Sequence, residues 1–534
     1  MRAIDLYGGI GGWTLGLKMA GIDVIGSYDN WQPAVDTHNA NFGHSSEPVD
    51  IRGMTMNNIP KKIDYVVGSP PCTQFSFANR GGSGDIDDGL VDIRKMLEIV
   101  EHVQPKYWAM ENVPRVAGIL ELELSAGGSL SGYRDLVEDI RIVNCAEYGV
   151  PQRRKRMIAG RLPFDKLEGY AAELSNNHSK FLQGQTLGHV IAKLNSKGKI
   201  KDPLYGNIIN KRSLTNHYPE DFLDQEEVRI NREAKTYHPV YNKMRFPDDI
   251  NTSARTVTAT CTRVSRESII VRSAPRRFRR LSIRERASLQ SFPISFEFCG
   301  ENYNSRLKMV GNAIPPLLTY FIGKCMKGDK IPDFKLSEIS GQRFKPIRSD
   351  FSEVEIEKKR YAFPRNRKFR HAIPGLRFGS GVRFELVNDT SEDPVKWKVS
   401  YYFGSSKNIM SIPLDKDTYK KAKRRFKDLD VDALLDTSQT QISYEGNSLQ
   451  ERWLHISNNG PRPFKIIDEL GSINKRLLRK IKDIERQDVE SFVLNLHEQH
   501  ANGSDYKLGY KYGKISKELL SGLLVGSWFN SRPH

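Results

Sequence analysis

One cysteine stands where an α/β enzyme presents a nucleophile. Cys72 lies in the stretch GSPPCTQFS, behind two prolines and directly after an apolar run from Ile63 to Val67 that predicts a strand. A thiol attacks as its thiolate, and a free cysteine with a pKa of about 8.5 is only slightly ionised near neutrality, so a catalytic cysteine needs a site that activates it. A buried structural thiol is the alternative for any single cysteine. The surrounding motifs must decide between the two.

A glycine-rich turn near the N-terminus predicts a ligand-binding loop. DLYGGIGGWTLGLKMAG begins as a strand, turns through Gly8, Gly9, Gly11 and Gly12 and continues as a helix, which lets backbone amides approach a ligand closely. A second predicted strand ends at Asp29, where an acid can bind ribose hydroxyls. Because the spacing GGIGG differs from GxGxxG, a nucleoside without a pyrophosphate is favoured over NAD. A turn kept only for packing is the alternative.

The elements that must position these residues alternate between strands and helices up to about residue 160. Strands separated by helices predict an α/β fold with parallel pairing and a sheet covered on both faces. The predicted strands are Ala3 to Tyr7, Val24 to Tyr28, Ile63 to Val67, Tyr107 to Met110 and Arg156 to Ala159.

This alternation is lost from residue 161 to 275, which is polar, shows little helical periodicity and predicts a loop-rich insertion or a small separate domain. Helical patterns return in RRFRRLSIRERASLQSFP and VGNAIPPLLTYFIGKCM. We therefore predict a first domain over 1–160, an insertion over 161–275, a return to the first domain over 276–328 and an extension over 329–534.

The extension begins with a linker-like stretch after Gly328. Its strand candidates are Gly381 to Val387 and Lys396 to Phe403, and its basic helical stretches are Thr418 to Lys427 and Ile473 to Ile484. Basic helices fit auxiliary DNA binding, and a solvated structural domain is the alternative.

Composition favours a polyanionic partner. The 534 residues contain 82 Lys and Arg against 64 Asp and Glu, a formal charge of +18, and basic side chains that neutralise phosphates gain affinity by counterion release. A merely soluble basic surface is the alternative. No stretch approaches the roughly 18 consecutive apolar residues of a membrane span, and no signal peptide is recognised, so a cytoplasmic protein is expected.

The cysteines indicate neither a disulfide framework nor a metal site. They are odd in number, widely spaced and without a CxxC pair, so a reducing compartment and no metal are expected. The five are Cys72, Cys145, Cys261, Cys299 and Cys325.

Six motifs occur in the order seen in cytosine-5 DNA methyltransferases, and the chain resembles that family over about residues 1–160 and 276–328. The segment between them lies where the family keeps its variable target-recognition domain. The motifs are GIGG near the N-terminus, PPC at 70–72, ENV at 111–113, QRRKR at 152–156, RRLSIRERASLQSFP at 279–293 and GNAIPP at 311–316.

The resemblance implies a Rossmann-like, S-adenosylmethionine-dependent methyltransferase with an inserted target-recognition domain, to which this chain adds a C-terminal α+β domain. Cys72, next to Pro71, matches the nucleophile that attacks carbon 6 of cytosine. Glu111 matches the acid that contacts ring nitrogen 3 and the amino group, and Arg154 and Arg156 match the last two arginines of the QxRxR motif. The implied S-adenosylmethionine pocket comprises Tyr7, Gly9, Gly11, Asp29, Asp50, Ile51 and Asn312.

The implied chemistry explains these residue types. Carbon 5 of cytosine becomes nucleophilic enough to take a methyl group when a thiolate adds at carbon 6, and a proton held at ring nitrogen 3 by Glu111 offsets the charge that develops there. A cation such as Arg154 would lower the pKa of Cys72. A base inside a duplex must also be flipped out. Two positions depart from the family pattern: Asn30 stands where an aromatic residue is common, and Thr73 where glutamine is common.

The implied partners are duplex DNA, bound by a monomer, and a separate cognate restriction endonuclease in a prokaryotic or phage-encoded system. Methylation of tRNA is the closest alternative, and a catalytically silent DNA-binding protein is another. NTSARTVTATCTRVSRES resembles an edge of the recognition domain, so Arg255 is expected to position DNA or support the fold. Pro332-Asp333 with Glu357-Lys358-Lys359 has the letters of a metal-dependent nuclease, but EVEIEKKRY has the pattern of a charged helix.

Overall fold

The structure is a computed structural model, in which residue contacts form two compact units, Met1–Asn231 with Arg245–Glu357 and Arg232–Met244 with Lys358–His534. It describes the chain except for residues 73, 76–84, 178–184, 218–220, 237–243, 331–362, 379–380, 405–408, 428, 430–431, 433–444, 455, 457–461, 501–510 and 533–534. The letters of the nuclease pattern therefore lie outside the described residues.

A six-stranded sheet forms the centre of the first unit, in the order β2-β1-β3-β4-β6-β5. The first four strands pair in parallel, as predicted. The sixth runs antiparallel to both of its neighbours, so the expectation of purely parallel pairing is wrong at this edge. The strands are β1 (Arg2–Leu6), β2 (Asp23–Tyr28), β3 (Tyr65–Gly68), β4 (Tyr107–Asn112), β5 (Asp139–Asn144) and β6 (Lys155–Arg161).

Helices accompany this sheet along the chain, and the α/β class is confirmed. They are α1 (Gly12–Met19), α2 (Gln32–Phe42), α3 (Ile86–Val103), α4 (Arg115–Glu123), α5 (Phe164–Asn177), α6 (Leu187–Leu194), α7 (Gln225–Thr236), α8 (Ile283–Leu289), α9 (Tyr303–Asn312) and α10 (Pro316–Lys327). The helical patterns predicted in the two late motifs are thus present as α8 and as α9 with α10.

Helix α10, which comes late in the first unit, packs against α1, which comes near the N-terminus. The Thr319 hydroxyl donates a hydrogen bond of 2.8 Å to the carbonyl oxygen of Gly12. Gly16 has no side chain at this crossing, where an added Cβ would lie 2.5 Å from the Pro316 carbonyl oxygen. The crossing brings the loop before α10 to the glycine-rich turn before α1.

The segment from 161 to 275 is more regular than the sequence predicts. Helix α5 packs through Leu167, Tyr170 and Leu174 into the same apolar cluster as Phe321 of α10. The segment also contains α6, α7 and the strands β7 (Lys199–Lys201), β8 (Ile208–Asn210) and β9 (Ile270–Ala274), the last paired with β10 (Arg277–Arg280). Its domain boundaries stay a prediction.

The sequence predicts that Arg255 either positions DNA or supports the fold, and its contacts in this structure support the fold. Its guanidinium pairs with the Asp248 carboxylate and donates a hydrogen bond of 3.0 Å to the carbonyl oxygen of Ser268.

The second unit contains an antiparallel sheet whose four strands pair in chain order. Alternate residues of its central strands enter a core that also contains the apolar side chains of the last helix from Leu519 to Phe529. Its elements are β11 (Arg370–Arg377), β12 (Arg383–Asp389), β13 (Lys396–Gly404), β14 (Ile409–Ile412), α11 (Lys416–Arg425), α12 (Gly446–Trp453), α13 (Pro463–Ile481), α14 (Arg486–His500), α15 (Lys511–Lys514) and α16 (Ser516–Asn530). The two predicted strands and the two basic helical stretches are confirmed.

A membrane-crossing helix is not found among the described residues. The same residues form no cluster of three or more metal-ligating His, Cys, Asp or Glu side chains.

Candidate active site

A cavity of about 260 Å³ lies in the first unit, beside the glycine-rich turn. It brings together most of the residues that the sequence singled out, although they come from points spread over three hundred positions. Eight of them line it: Tyr7, Gly9, Asp29, Cys72, Glu111, Arg154, Arg156 and Asn312.

The glycine-rich turn is held in place by Asp29 at the end of β2. The backbone N–H groups of Gly9 and Trp31 each donate a hydrogen bond of 2.9 Å to one of its carboxylate oxygens. Gly9 has a φ of 52°, which favours glycine. Burial raises the pKa of Asp29, while these N–H groups and Lys308 oppose the rise. Each carboxylate oxygen keeps a further lone pair for a ligand hydroxyl.

Gly11, Asp50 and Ile51 are not among the described residues that line this cavity. Gly11 has a φ of 93° and precedes α1, where a Cβ would overlap the ring of Phe42. Asp50 is exposed and accepts a hydrogen bond of 3.1 Å from the backbone N–H of Arg52. Ile51 is buried in the apolar cluster beneath β1 and β3. Their predicted contact with the cofactor stays a prediction.

Trp31 and Lys308 line the same cavity and were missed by the sequence analysis. The ammonium group of Lys308 lies 4.4 Å from the centre of the Trp31 ring. Trp31 is the second residue after Asp29, one position beyond Asn30, where the family pattern has an aromatic residue. The Trp in the sequence YDNWQ was the available signal.

Cys72, which follows β3, is partly exposed and lines the cavity. Its loop is fixed by a hydrogen bond of 3.1 Å from the Asn112 amide to the Pro70 carbonyl oxygen. Burial, and secondarily the Glu111 carboxylate, raise the pKa of the Cys72 thiol, while Arg156 and Arg154 lower it. The net effect keeps this thiol protonated, so the cations offset its burial only in part. Thr73 lies outside the described residues.

Glu111 and Arg156 form an ion pair on the adjacent strands β4 and β6. The Arg156 Nε atom lies 2.7 Å from Glu111 Oε1, and the two side chains are only 11% and 6% exposed. Burial of both partners makes the pair sensitive to the loss of either one. The pair fixes the carboxylate in the cavity that contains Cys72.

Arg154 is buried and acts as a link between distant parts of the chain. Its guanidinium donates hydrogen bonds to the carbonyl oxygens of Val257 at 3.0 Å, Gly311 at 2.9 Å and Ala313 at 3.2 Å. Burial lowers the pKa of Arg154 to about 9, so the group stays charged at neutral pH. These contacts position the end of α9, where Asn312 lies.

The family model described as C-5 cytosine-specific DNA methylase matches residues 1–328, which is more than half of the chain. The chain belongs to this family. The resemblance drawn from the six motifs is thereby confirmed, and the protein is a DNA cytosine-5 methyltransferase of the α/β class.

Related proteins match about three fifths of this methyltransferase. Type II methyltransferase M1.HphI of Haemophilus parahaemolyticus is 28% identical over 353 residues, which cover 60% of this chain and 86% of the relative. Type II methyltransferase M.HindV of Haemophilus influenzae is 27% identical over 337 residues, covering 61% and 96%. The crystal structure of S. pombe Dnmt2 methyltransferase aligns with 61% of this chain and 98% of its own, with 16% identity and a TM-score of 0.41.

Proposed function

We propose that this methyltransferase transfers the methyl group of S-adenosylmethionine to carbon 5 of cytosine in a specific duplex DNA sequence, with Cys72 as the nucleophile. The observation that carries the proposal is one cavity lined by Cys72, by the Glu111–Arg156 pair and by the turn that Asp29 holds. Nucleophile, acid and nucleoside-binding groups can thus meet in one place.

The residues around the turn fit the cofactor. Asp29 can accept hydrogen bonds from ribose hydroxyls, and the face of Trp31 can stack on adenine. The same cavity reaches Cys72 and Asn312. Bound S-adenosylmethionine supplies an electrophilic methyl group to a nucleophilic carbon.

Proton movement begins with the Cys72 thiol, whose raised pKa keeps its proton in the absence of the target base. When sulfur bonds to carbon 6 of a flipped cytosine, the electron pair of the ring moves toward ring nitrogen 3, which takes up a proton. The Glu111 carboxylate, oriented by Arg156, can pass the thiol proton to that nitrogen. The proton lost by sulfur therefore balances the one gained by the ring.

Carbon 5 of the adduct would act as the nucleophile that takes the methyl group, which leaves the cofactor as S-adenosylhomocysteine. Loss of the carbon 5 proton to solvent would then restore the ring double bond and expel Cys72 as the carbon–sulfur bond breaks. The proton held at ring nitrogen 3 would return to the Cys72 thiolate through Glu111. Positive charge at Arg156 and Arg154 favours the departing thiolate.

The setting that we propose is restriction and modification, in which a separate endonuclease cuts the same sequence when it is unmethylated. Support comes from the names of the relatives, which are type II methyltransferases. We further propose that a monomer acts on the DNA, within the cytoplasm of a prokaryotic host or a phage-infected cell.

The experiment incubates the full chain with methyl-labelled S-adenosylmethionine and either duplex DNA or tRNA. We expect label in DNA, loss of labelling in Cys72→Ala, and normal labelling in Cys299→Ala, which removes another partly exposed cysteine. Label in tRNA alone would refute the substrate, and undiminished DNA labelling by Cys72→Ala would refute the mechanism. Bisulfite sequencing of the product identifies the methylated sequence.

A further inference from the structure

Helix α11 of the second unit, Lys416–Arg425, is basic on its exposed side. Its sequence KDTYKKAKRR has six Lys and Arg against one Asp, and all six cations are exposed. Thr418 and Ala422 face inward and are buried, and Asp415 caps the helix by accepting a hydrogen bond of 2.7 Å from the Thr418 N–H. The cap and the buried face make this a preformed surface.

Two of the cations form ion pairs within the unit. Lys423 pairs with Asp432, and Arg425 lies 2.7 Å from Asp488. The other four, Lys416, Lys420, Lys421 and Arg424, have no carboxylate within 4.0 Å among the described residues.

Lys416, Lys420 and Arg424 follow one another at intervals of four residues, so they form a single row along the helix. Like charges at this spacing destabilise a helix, and cations near the N-terminus also oppose its dipole. Helix stability therefore explains Arg424 in the last turn but does not explain Lys416 or Lys420. A polyanion along the row would remove both penalties.

We propose that the row Lys416, Lys420 and Arg424, flanked by Lys421, binds the phosphate backbone of duplex DNA. The row extends about 12 Å along the helix, and one DNA strand carries a phosphate about every 3.4 Å of duplex axis. Lys and Arg side chains bind phosphates without reading the sequence. The contact is independent of the target site.

This inference rests on the proposed action on DNA, which supplies the polyanion. Because both units belong to one polypeptide, a DNA contact by the second unit raises the effective concentration of the first on the same duplex. From residue 329 to 534 the chain has 38 Lys and Arg against 28 Asp and Glu, so the whole extension is positively charged, as DNA binding requires.

The test measures binding of the full chain to a target-containing duplex and to an unrelated duplex across a range of salt concentrations, without cofactor. The triple variant Lys416→Gln, Lys420→Gln and Arg424→Gln is expected to reduce the slope of log affinity against log salt by about 2.7. Affinity at 0.15 M salt should fall by up to about 100-fold, equally on both duplexes. The variant Lys416→Arg, Lys420→Arg and Arg424→Lys should keep the wild-type slope.

A matched control removes three exposed cations that pair with acids elsewhere in the unit, Lys396→Gln, Lys465→Gln and Arg486→Gln. This control is expected to keep the slope. Equal slopes for the two triple-glutamine variants would overturn the proposal, as would a loss confined to the target duplex. Because binding is measured without methyl transfer, the assay can still test the DNA contact of α11 if the proposed enzymatic activity is wrong.

Discussion

Replacing Gly16 with alanine is expected to separate α1 from α10 and so to damage the cavity beside the glycine-rich turn. A Cβ at this position would lie 2.5 Å from the Pro316 carbonyl oxygen and 2.6 Å from the Tyr320 backbone nitrogen. An ordinary contact needs about 3.4 Å or more, and both neighbours are backbone atoms of one helix, so α10 must move by about 1 Å.

The magnitude follows from two opposing effects. Alanine stabilises a helix by about 1 kcal/mol relative to glycine, whereas overpacking against backbone costs about 3 kcal/mol, at the upper end of the usual range. The net loss of about 2 kcal/mol should lower the Tm of the first unit by about 4 °C. Asn312 at the end of α9 lines the cavity, as do Ala313 and Ile314 in the loop before α10, and a shift of about 1 Å can reduce the rate of methyl transfer by up to about 100-fold.

Gly118→Ala is the matched control, because Gly118 is an exposed glycine of α4 with no atom within 4 Å of an added Cβ. It should raise the Tm by about 2 °C and keep full activity. The assay combines thermal unfolding with methyl transfer to duplex DNA. If Gly16→Ala were as stable and as active as Gly118→Ala, the close packing of α1 on α10 would be refuted.

Three further predictions concern the cavity itself. Trp31→Ala should weaken S-adenosylmethionine binding by about 10-fold through lost stacking, measured by calorimetry, while Trp31→Phe keeps most of the affinity; equal binding by both variants would contradict the stacking. Alkylation of Cys72, followed by mass spectrometry, should still be rising with pH between pH 8 and pH 9, because burial raises its pKa; a plateau below pH 8 would contradict this. At pH 8, Glu111→Gln should speed that alkylation and Arg156→Gln should slow it, since the carboxylate raises and the guanidinium lowers the pKa of Cys72; changes of the opposite sign would exclude these electrostatic effects.

The sequence predicted the first four strands because each is a short apolar run bounded by turns, and buried parallel strands have that pattern. It missed β5, whose residues are mostly half-exposed at the sheet edge, and therefore missed the hairpin that reverses β6. It also missed α5, because a helix that buries only one side has a mixed composition. Pairing direction depends on such neighbours and cannot be read from one strand alone.

Most of the site residues predicted from the ordered motifs line the cavity, since each motif carries its own residue types. Contacts between distant segments were beyond reach: Arg154 binds carbonyl oxygens of Val257 and Gly311, and carbonyl groups leave no mark in a sequence. The contact between Lys308 and Trp31 likewise depends on how α9 packs against a segment almost 280 residues earlier in the chain.

The central claim is a covalent bond between Cys72 and carbon 6 of the target cytosine. A duplex in which 5-fluorocytosine replaces that cytosine tests it directly. A base removes a proton from carbon 5 but cannot remove fluorine in its place, so Cys72 is not eliminated and the adduct persists. With S-adenosylmethionine present, we expect a denaturation-resistant protein–DNA complex whose peptide map places the DNA on Cys72, and no complex with Cys72→Ala. Methylation of ordinary DNA without any trapped complex, or attachment at another cysteine, would contradict the account.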